Sequence, residues 1–259
     1  MRWTAIECIG MMGAGRTGAT LLRCVRDGGE EEADLVVKDT GGHEVTPESI
    51  CRELAGNVMA RVLGVNTPEP ALVWVPRDVA WASRFVVQGR GPLAEGWAAG
   101  AVKFGPGAPV PQGISLTGDL LRQAMCLYAF DLVAKNPDHR ADNANCVLLG
   151  DALLAYDFEF CFMRTSAVLA GGEPWQVAYH HRPEHVLRRP IASAAKSRDR
   201  YSWEPFLSSL SGVDEERTRE LLNWLPSNCC SVVESIVSEL AECRDHLEDL
   251  ERHLEQSLS

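Results

Sequence analysis

The sequence predicts an α+β protein of two lobes: a small sheet-rich amino-terminal lobe with one helix over residues 1–88, and a mainly helical carboxyl-terminal lobe over residues 89–259. Three observations predict it. Short apolar runs separated by glycine-bearing turns crowd the first forty residues. One helical period follows at Ile50, Leu54, Val58 and Val62, and residues 203–259 are helical by pattern. At 46% hydrophobic and 24% charged, the chain has ordinary globular composition and enough length for one or two domains with a proper core.

Taken in order, the first apolar runs, Ile6-Glu7-Cys8-Ile9 and Thr20-Leu21-Leu22-Arg23-Cys24, flank a turn holding Gly13, Gly15, Arg16, Thr17 and Gly18. Glycine permits positive φ and close approach, so such a turn can present backbone amides to phosphate oxygens; a plain hairpin turn is the other reading. No Gly-Lys-Ser/Thr follows, so this is not a Walker A loop. Asp34-Leu35-Val36-Val37-Lys38 reads as a strand ending in a lysine, which needs an anionic partner if it is desolvated. Thr46 and Pro47 read as the cap and first position of a helix that carries Glu53 and stops at Gly64. Trp81-Ala82-Ser83-Arg84-Phe85-Val86-Val87 reads as the last strand of the lobe and its crossover, and Gly89 to Gly118 as a connection rich in Gly, Pro and Ala. Leu120 to Lys135 reads as a long buried helix. Cys146 to Leu149 and Ala152 to Tyr156 read as a hairpin around Gly150-Asp151. Beyond residue 203, Trp203-Glu204-Pro205-Phe206 opens one helix and Asp214-Glu215-Glu216 another. Ile236, Leu240, Cys243, Leu247, Leu250 and Leu254 form a short seam spaced by four and three, suited to docking on its own lobe or to a weak homodimer.

Asn136-Pro137-Asp138-His139-Arg140-Ala141-Asp142-Asn143, followed by Asp157, carries the chemistry. Phosphoryl transfer to a hydroxyl needs a carboxylate to orient the attacking oxygen, and an amide oxygen with a second carboxylate to hold the magnesium that bridges nucleotide phosphates. Asn143 stands five residues after Asp138, the spacing of a kinase catalytic loop, and the hairpin returns Asp157 towards Asn143. A polar loop is the bland alternative for this stretch, as a lone exposed lysine and a surface glutamate are for Lys38 and Glu53. The order of a glycine turn, strand lysine, helix glutamate, loop Asp and Asn, and metal Asp favours the chemical reading.

On these residues the chain resembles the HipA-like kinases, a compact branch with a protein-kinase-like fold. The resemblance runs through Gly13 to Gly18, Leu35 to Lys38, Arg52 to Ala55, Leu63 to Pro70, Ala129 to Asp138, Asn143, and Tyr156-Asp157 with Phe162. It implies a Ser/Thr protein kinase using ATP and Mg²⁺. Asp138 would be the catalytic carboxylate, Asn143 and Asp157 the metal ligands, Lys38 the phosphate contact and Glu53 its partner, with the glycine turn over the phosphates. It further implies a protein hydroxyl as acceptor, a toxin-type role on a translation factor with an antitoxin-like partner, and Thr17 or Thr20 as sites of self-modification. The chain departs from the family in two places: Asp138-His139-Arg140 stands where Asp-Arg-His is common, and Phe158-Glu159-Phe160 where His-Gly-His is common. A small-molecule or lipid-headgroup kinase and a nucleotide-binding pseudokinase or interaction protein stay open on the same residues.

Composition excludes other classes. No apolar run approaches the roughly 20 residues of a membrane span. A net charge of −11 argues against broad nucleic-acid binding. Nine cysteines, an odd number without C-x-x-C pairs, fit reduced thiols in a cytoplasmic protein. Between His180 and Arg200 the charge reverses locally, with Arg182, Arg188, Arg189, Lys196, Arg198 and Arg200 where a kinase receives its substrate.

Overall fold

Five strands close into a barrel in the computed structural model, which describes residues 1–12, 18–42, 44–89, 91–111, 113–163, 172–176, 184–196 and 202–258. The strands are β1 (Arg2–Met11), β2 (Thr20–Arg26), β3 (Glu32–Lys38), β4 (Pro70–Val75) and β5 (Gly96–Val102). Their order around the barrel is β1-β2-β3-β5-β4, and a parallel pairing of β1 with β4 closes it. Along β3, Leu35 and Val37 point into the barrel and are buried, while Val36 and Lys38 lie on the other face, as a period of two requires. Trp3, Leu22, Cys24, Val73 and Ala98 fill the same interior. Gly100 admits this packing, because a Cβ there would stand 2.6 Å from Val73 Cγ2. Leu35→Ala should therefore cost about 3 kcal/mol of stability in urea unfolding. A loss under about 1 kcal/mol would mean that the barrel interior does not depend on this side chain.

Two compact units are distinguished within the chain. The first takes Met1–Leu54, Pro68–Phe104 and Trp224–Cys229, and the second Ala55–Thr67, Gly105–Asn223 and Cys230–Ser259. Helix α1 (Pro47–Val62) begins as its capping residues require, with the Thr46 hydroxyl accepting from the Ser49 N–H at 3.1 Å and a left-handed Gly64 just past its end.

The 81–87 run is not a strand. Pro76 and Asp78 start a short helix, α2 (Arg77–Ser83), that buries Val79, Ala80 and Ser83. Trp81 on α2 and Phe85 just beyond it are 54% and 70% exposed and meet edge to face at 5.1 Å. Strand-favouring side chains here mark the exposed end of α2 and the turn that follows it, and the true fifth strand, β5, lies within the stretch read as a connection. β4 and β5 pair with Trp74 opposite Trp97, and β5 holds the inner position between β3 and β4 despite its small residues.

The cysteines also differ from expectation. Cys51 in α1 and Cys229 form a disulfide within the first unit, and among the free thiols only Cys230 is exposed. Reduced thiols alone do not describe this chain.

The second unit is built on α3 (Gly118–Val133), which is buried almost all round from Leu121 to Val133. It carries a three-stranded sheet of β6 (Ala108–Pro109), β7 (Cys146–Leu149) and β8 (Ala152–Ala155), the last two joined through left-handed Gly150 as the hairpin reading expects. Among the described residues, five α-helices follow: α4 (Arg188–Lys196), α5 (Glu204–Ser211), α6 (Glu215–Leu222), α7 (Cys230–Asp245) and α8 (Leu247–Ser257). Asp214 caps α6 by accepting from the Arg217 N–H at 2.8 Å. The seam from Ile236 to Leu254 is broken at His246 into α7 and α8, and Ile236, Leu240, Cys243, Leu250 and Leu254 are buried within the unit. Among the described residues, no helix is long and apolar enough to cross a membrane.

Candidate functional site

The first unit, taken by itself, holds the Lys38–Glu53 ion pair. Lys38 at the end of β3 sets its Nζ 3.2 Å from Glu53 Oε2 on α1, with the two side chains 13% and 14% exposed. A lysine that far from water needs this carboxylate, because an isolated ammonium there would be strongly penalised. The next residue fixes the chain direction: buried Asp39 accepts from the Gly41 N–H at 2.9 Å and the Ala94 N–H at 2.6 Å. Gly13, Gly15, Arg16 and Thr17 lie outside the described residues. Gly18, at φ 62°, leads into β2 in a left-handed conformation that favours glycine. Thr20, the first residue of β2, has no exposed surface, so its hydroxyl is not presented for modification.

The second unit, taken by itself, holds the loop after α3. Asp138 is half-buried and accepts from two amides, Asn143 Nδ2 at 3.1 Å on Oδ1 and Asn145 Nδ2 at 2.7 Å on Oδ2. Asn136 Oδ1 accepts from the Asp138 N–H at 3.2 Å, an Asx turn that sets the entry to the loop. Burial, and after it the charge of Asp157, raises Asp138 above the usual carboxylate range. Asp157 follows β8 with φ 72°, and Asn145 is also left-handed at φ 43°. Between these two bent positions the Tyr156 N–H donates to the Asn145 carbonyl at 2.9 Å, so hairpin and loop close on each other. Asn143, Asn145 and Asp157 thus gather around Asp138.

Oxygen donors suit a hard cation. Asn143 gives its N–H to Asp138, which leaves its carbonyl oxygen as the ligating atom, and with the Asp157 carboxylate this is the donor chemistry Mg²⁺ takes. Sequence reasoning missed Asn145, whose only signal is its place two residues after Asn143. It also missed the role of Asp131, the one acid in the apolar stretch of α3 from Leu120 to Val133, and of His185, which has no local signal at all. Of the basic segment, Arg188 donates through Nε to the Ser257 carbonyl at 2.8 Å, Arg189 and Lys196 stand on α4, and Arg182, Arg198 and Arg200 lie outside the described residues.

No family model and no curated protein sequence matches the chain. Among solved structures, that of a Helicobacter pylori proinflammatory kinase, CtkA, superposes over 99% of this chain and 98% of its own, with a TM-score of 0.52 and 11% identity. The fold is protein-kinase-like. At this identity the likeness shows the fold alone. The Mycobacterium tuberculosis PknI kinase domain, at 15% identity over 92% of this chain and 96% of its own, and the Neurospora crassa PAN3 pseudokinase, at 13% over 99% of this chain and 68% of its own, have TM-scores of 0.37 and 0.32, too low to argue from.

Proposed function

We propose that the protein is an ATP- and Mg²⁺-dependent phosphotransferase of the HipA-like Ser/Thr kinase type, with a protein hydroxyl as its acceptor. The observation that carries this reading is Asp138, held by two amides and raised in affinity for a proton by burial and Asp157. A carboxylate so placed orients an acceptor hydroxyl and takes its proton as the phosphoryl group transfers. Asn143 and Asp157 would hold Mg²⁺, which neutralises charge on the nucleotide phosphates when bound. Lys38 would contact the α- and β-phosphates, steadied by Glu53, with the Gly13 to Gly18 turn over them. A toxin-type role on a translation factor, with an antitoxin-like partner, belongs to the same proposal.

Incubation with γ-labelled ATP and Mg²⁺ in a lysate tests it. The expected result is a labelled protein band that disappears with EDTA. Label confined to small molecules would replace the acceptor class, and ATP binding without any transfer would overturn the enzyme reading in favour of a pseudokinase. Lys38→Met is expected to lower transfer about 10²-fold through misplaced phosphates, and to lower the melting temperature as well because the Glu53 carboxylate loses this cation. Full activity in that variant would remove Lys38 from the site.

A further inference from the structure

Asp131 has no exposed surface, yet it is an acid in an apolar helix. Two segments supply its partners. Asp131 Oδ2 lies 2.7 Å from His139 Nδ1 in the loop after α3 and 3.0 Å from His185 Nε2, while Oδ1 accepts from Asn136 Nδ2 at 3.1 Å. His185 belongs to the 184–187 strap, which is stitched to the loop by two backbone bonds, Ala141 N–H to the Glu184 carbonyl at 2.9 Å and Val186 N–H to the His139 carbonyl at 3.0 Å.

The other ring nitrogens settle the protonation of each histidine. His139 Nε2 stands 3.2 Å from the Tyr156 carbonyl. A carbonyl and a carboxylate can only accept, so both nitrogens of His139 carry hydrogen and the ring is an imidazolium. Asn136 Nδ2 also stands 3.0 Å from His139 Nδ1, but a bare nitrogen there would face a carboxylate oxygen at 2.7 Å, and the shorter contact decides. His185 is the opposite case. Its Nδ1 accepts from the Leu187 N–H at 3.0 Å, so only Nε2 carries hydrogen and the ring is neutral. One buried anion is then matched by one buried cation, where a second cation would leave uncompensated charge.

We infer that His139 is a standing imidazolium which, anchored on Asp131, positions the Asp138 loop against the Asp157 turn, and that neutral His185 ties the 184–187 strap to the same carboxylate. The kinetic part rests on the phosphotransferase reading, and the protonation part does not. His139 follows Asp138 directly, and the carbonyl it holds belongs to the residue before Asp157. The groups facing its ring are Asp131 from α3, His185 from the strap and Asp157 beyond Tyr156, with Asp138 and Arg140 beside it in the chain. Burial by itself would lower His139, but Asp131 outweighs it and holds the ring above its ordinary value; burial takes His185 down against the pull of Asp131.

Imidazole ¹⁵N shifts of the full chain, followed from pH 5.5 to 8.5 and assigned with His139→Gln and His185→Gln, test the protonation directly. Two protonated nitrogens on His139 and one on His185, both unchanged through pH 6.5, are the expected result. A His139 ring that titrates near 6.5, or a doubly protonated His185, overturns the inference whether or not the chain transfers phosphate. In kinetics, Asp131→Asn removes the anion and keeps the shape. It should lower kcat about tenfold with KM for ATP little changed, and add a fall in kcat as pH rises through 6 to 7, where His139 can now lose its proton. A folded Asp131→Asn variant with the wild-type pH profile would remove the positioning role and leave only the protonation assignment to stand or fall on the spectra.

Discussion

Asp138→Asn is expected to cut phosphoryl transfer by about 10³-fold while ATP binding stays within a few-fold of wild type. Both oxygens of Asp138 receive an amide hydrogen, from Asn143 and from Asn145. The substitution turns one oxygen into a donor, which then faces a donor. The closer contact, Asn145 at 2.7 Å, should keep the remaining oxygen, and Asn143 must then rotate its carbonyl inward to accept. The variant therefore loses the proton acceptor and also turns the oxygen proposed for Mg²⁺ away from its metal. Initial rates with labelled ATP, set beside calorimetric nucleotide binding, separate the two losses. Full transfer by this variant would sink the assignment of Asp138.

The same carboxylate fixes a pH dependence. Asp138 works only when ionised, and burial with Asp157 raises it above the ordinary value near 3.9. The acid limb of kcat should accordingly lie above that value, with activity lost as pH falls through it. Asp157→Asn removes the second contribution together with a proposed Mg²⁺ ligand, so activity should fall and the activity that remains should show the limb moved down. Stability follows a different pair. With His139 raised, its contribution is complete below about 6.5 and is lost as pH rises through its folded value, so the cost of His139→Gln should shrink by up to about 1.4 kcal/mol per unit of pH in that window. His185 is lowered, and its contribution is complete above about 6.5 and lost as pH falls.

Local signals in the sequence carried the elements that are fixed locally. Thr46, Pro47 and Gly64 mark both ends of α1, and Gly150 marks the hairpin that delivers Asp157. Lys38 and Glu53 were paired on the need of a desolvated strand lysine for an anion and on the carboxylate that the next helix supplies, and the two stand 3.2 Å apart. Residues 81–87 were misread because tryptophan, phenylalanine and valine favour strands, whereas Pro76 and the buried set Val79, Ala80 and Ser83 decide for a helix. β5 was hidden by its composition of glycine and alanine, which the narrow barrel interior requires against Val73. The polar network around Asp131 was out of reach for another reason. Its partner His185 lies 54 residues away, and no periodicity relates two single side chains at that distance.

The Cys51–Cys229 bridge has the same long-range character, and its removal is the second large effect expected. It joins residues 178 apart, so breaking it restores much chain entropy to the unfolded state, about 3–5 kcal/mol of stability. Locally, α1 would lose its covalent tie to Trp224–Cys229, a segment whose described links to the first unit include the Arg2 hydrogen bond to the Trp224 carbonyl at 3.4 Å. Urea unfolding of Cys229→Ser should match that of reduced wild type, and both should fall below oxidised wild type. Cys230→Ser should change little, because that thiol is exposed and unbridged. Alkylation of unfolded, unreduced protein should modify seven thiols of the nine; nine modified thiols would show that the bridge does not form. Cys51 lies two residues before Glu53 on α1, so if the bridge also steadies the Lys38 partner, reduction should raise KM for ATP at temperatures well below the melt. An unchanged KM with a lowered melting point would confine the disulfide to stability.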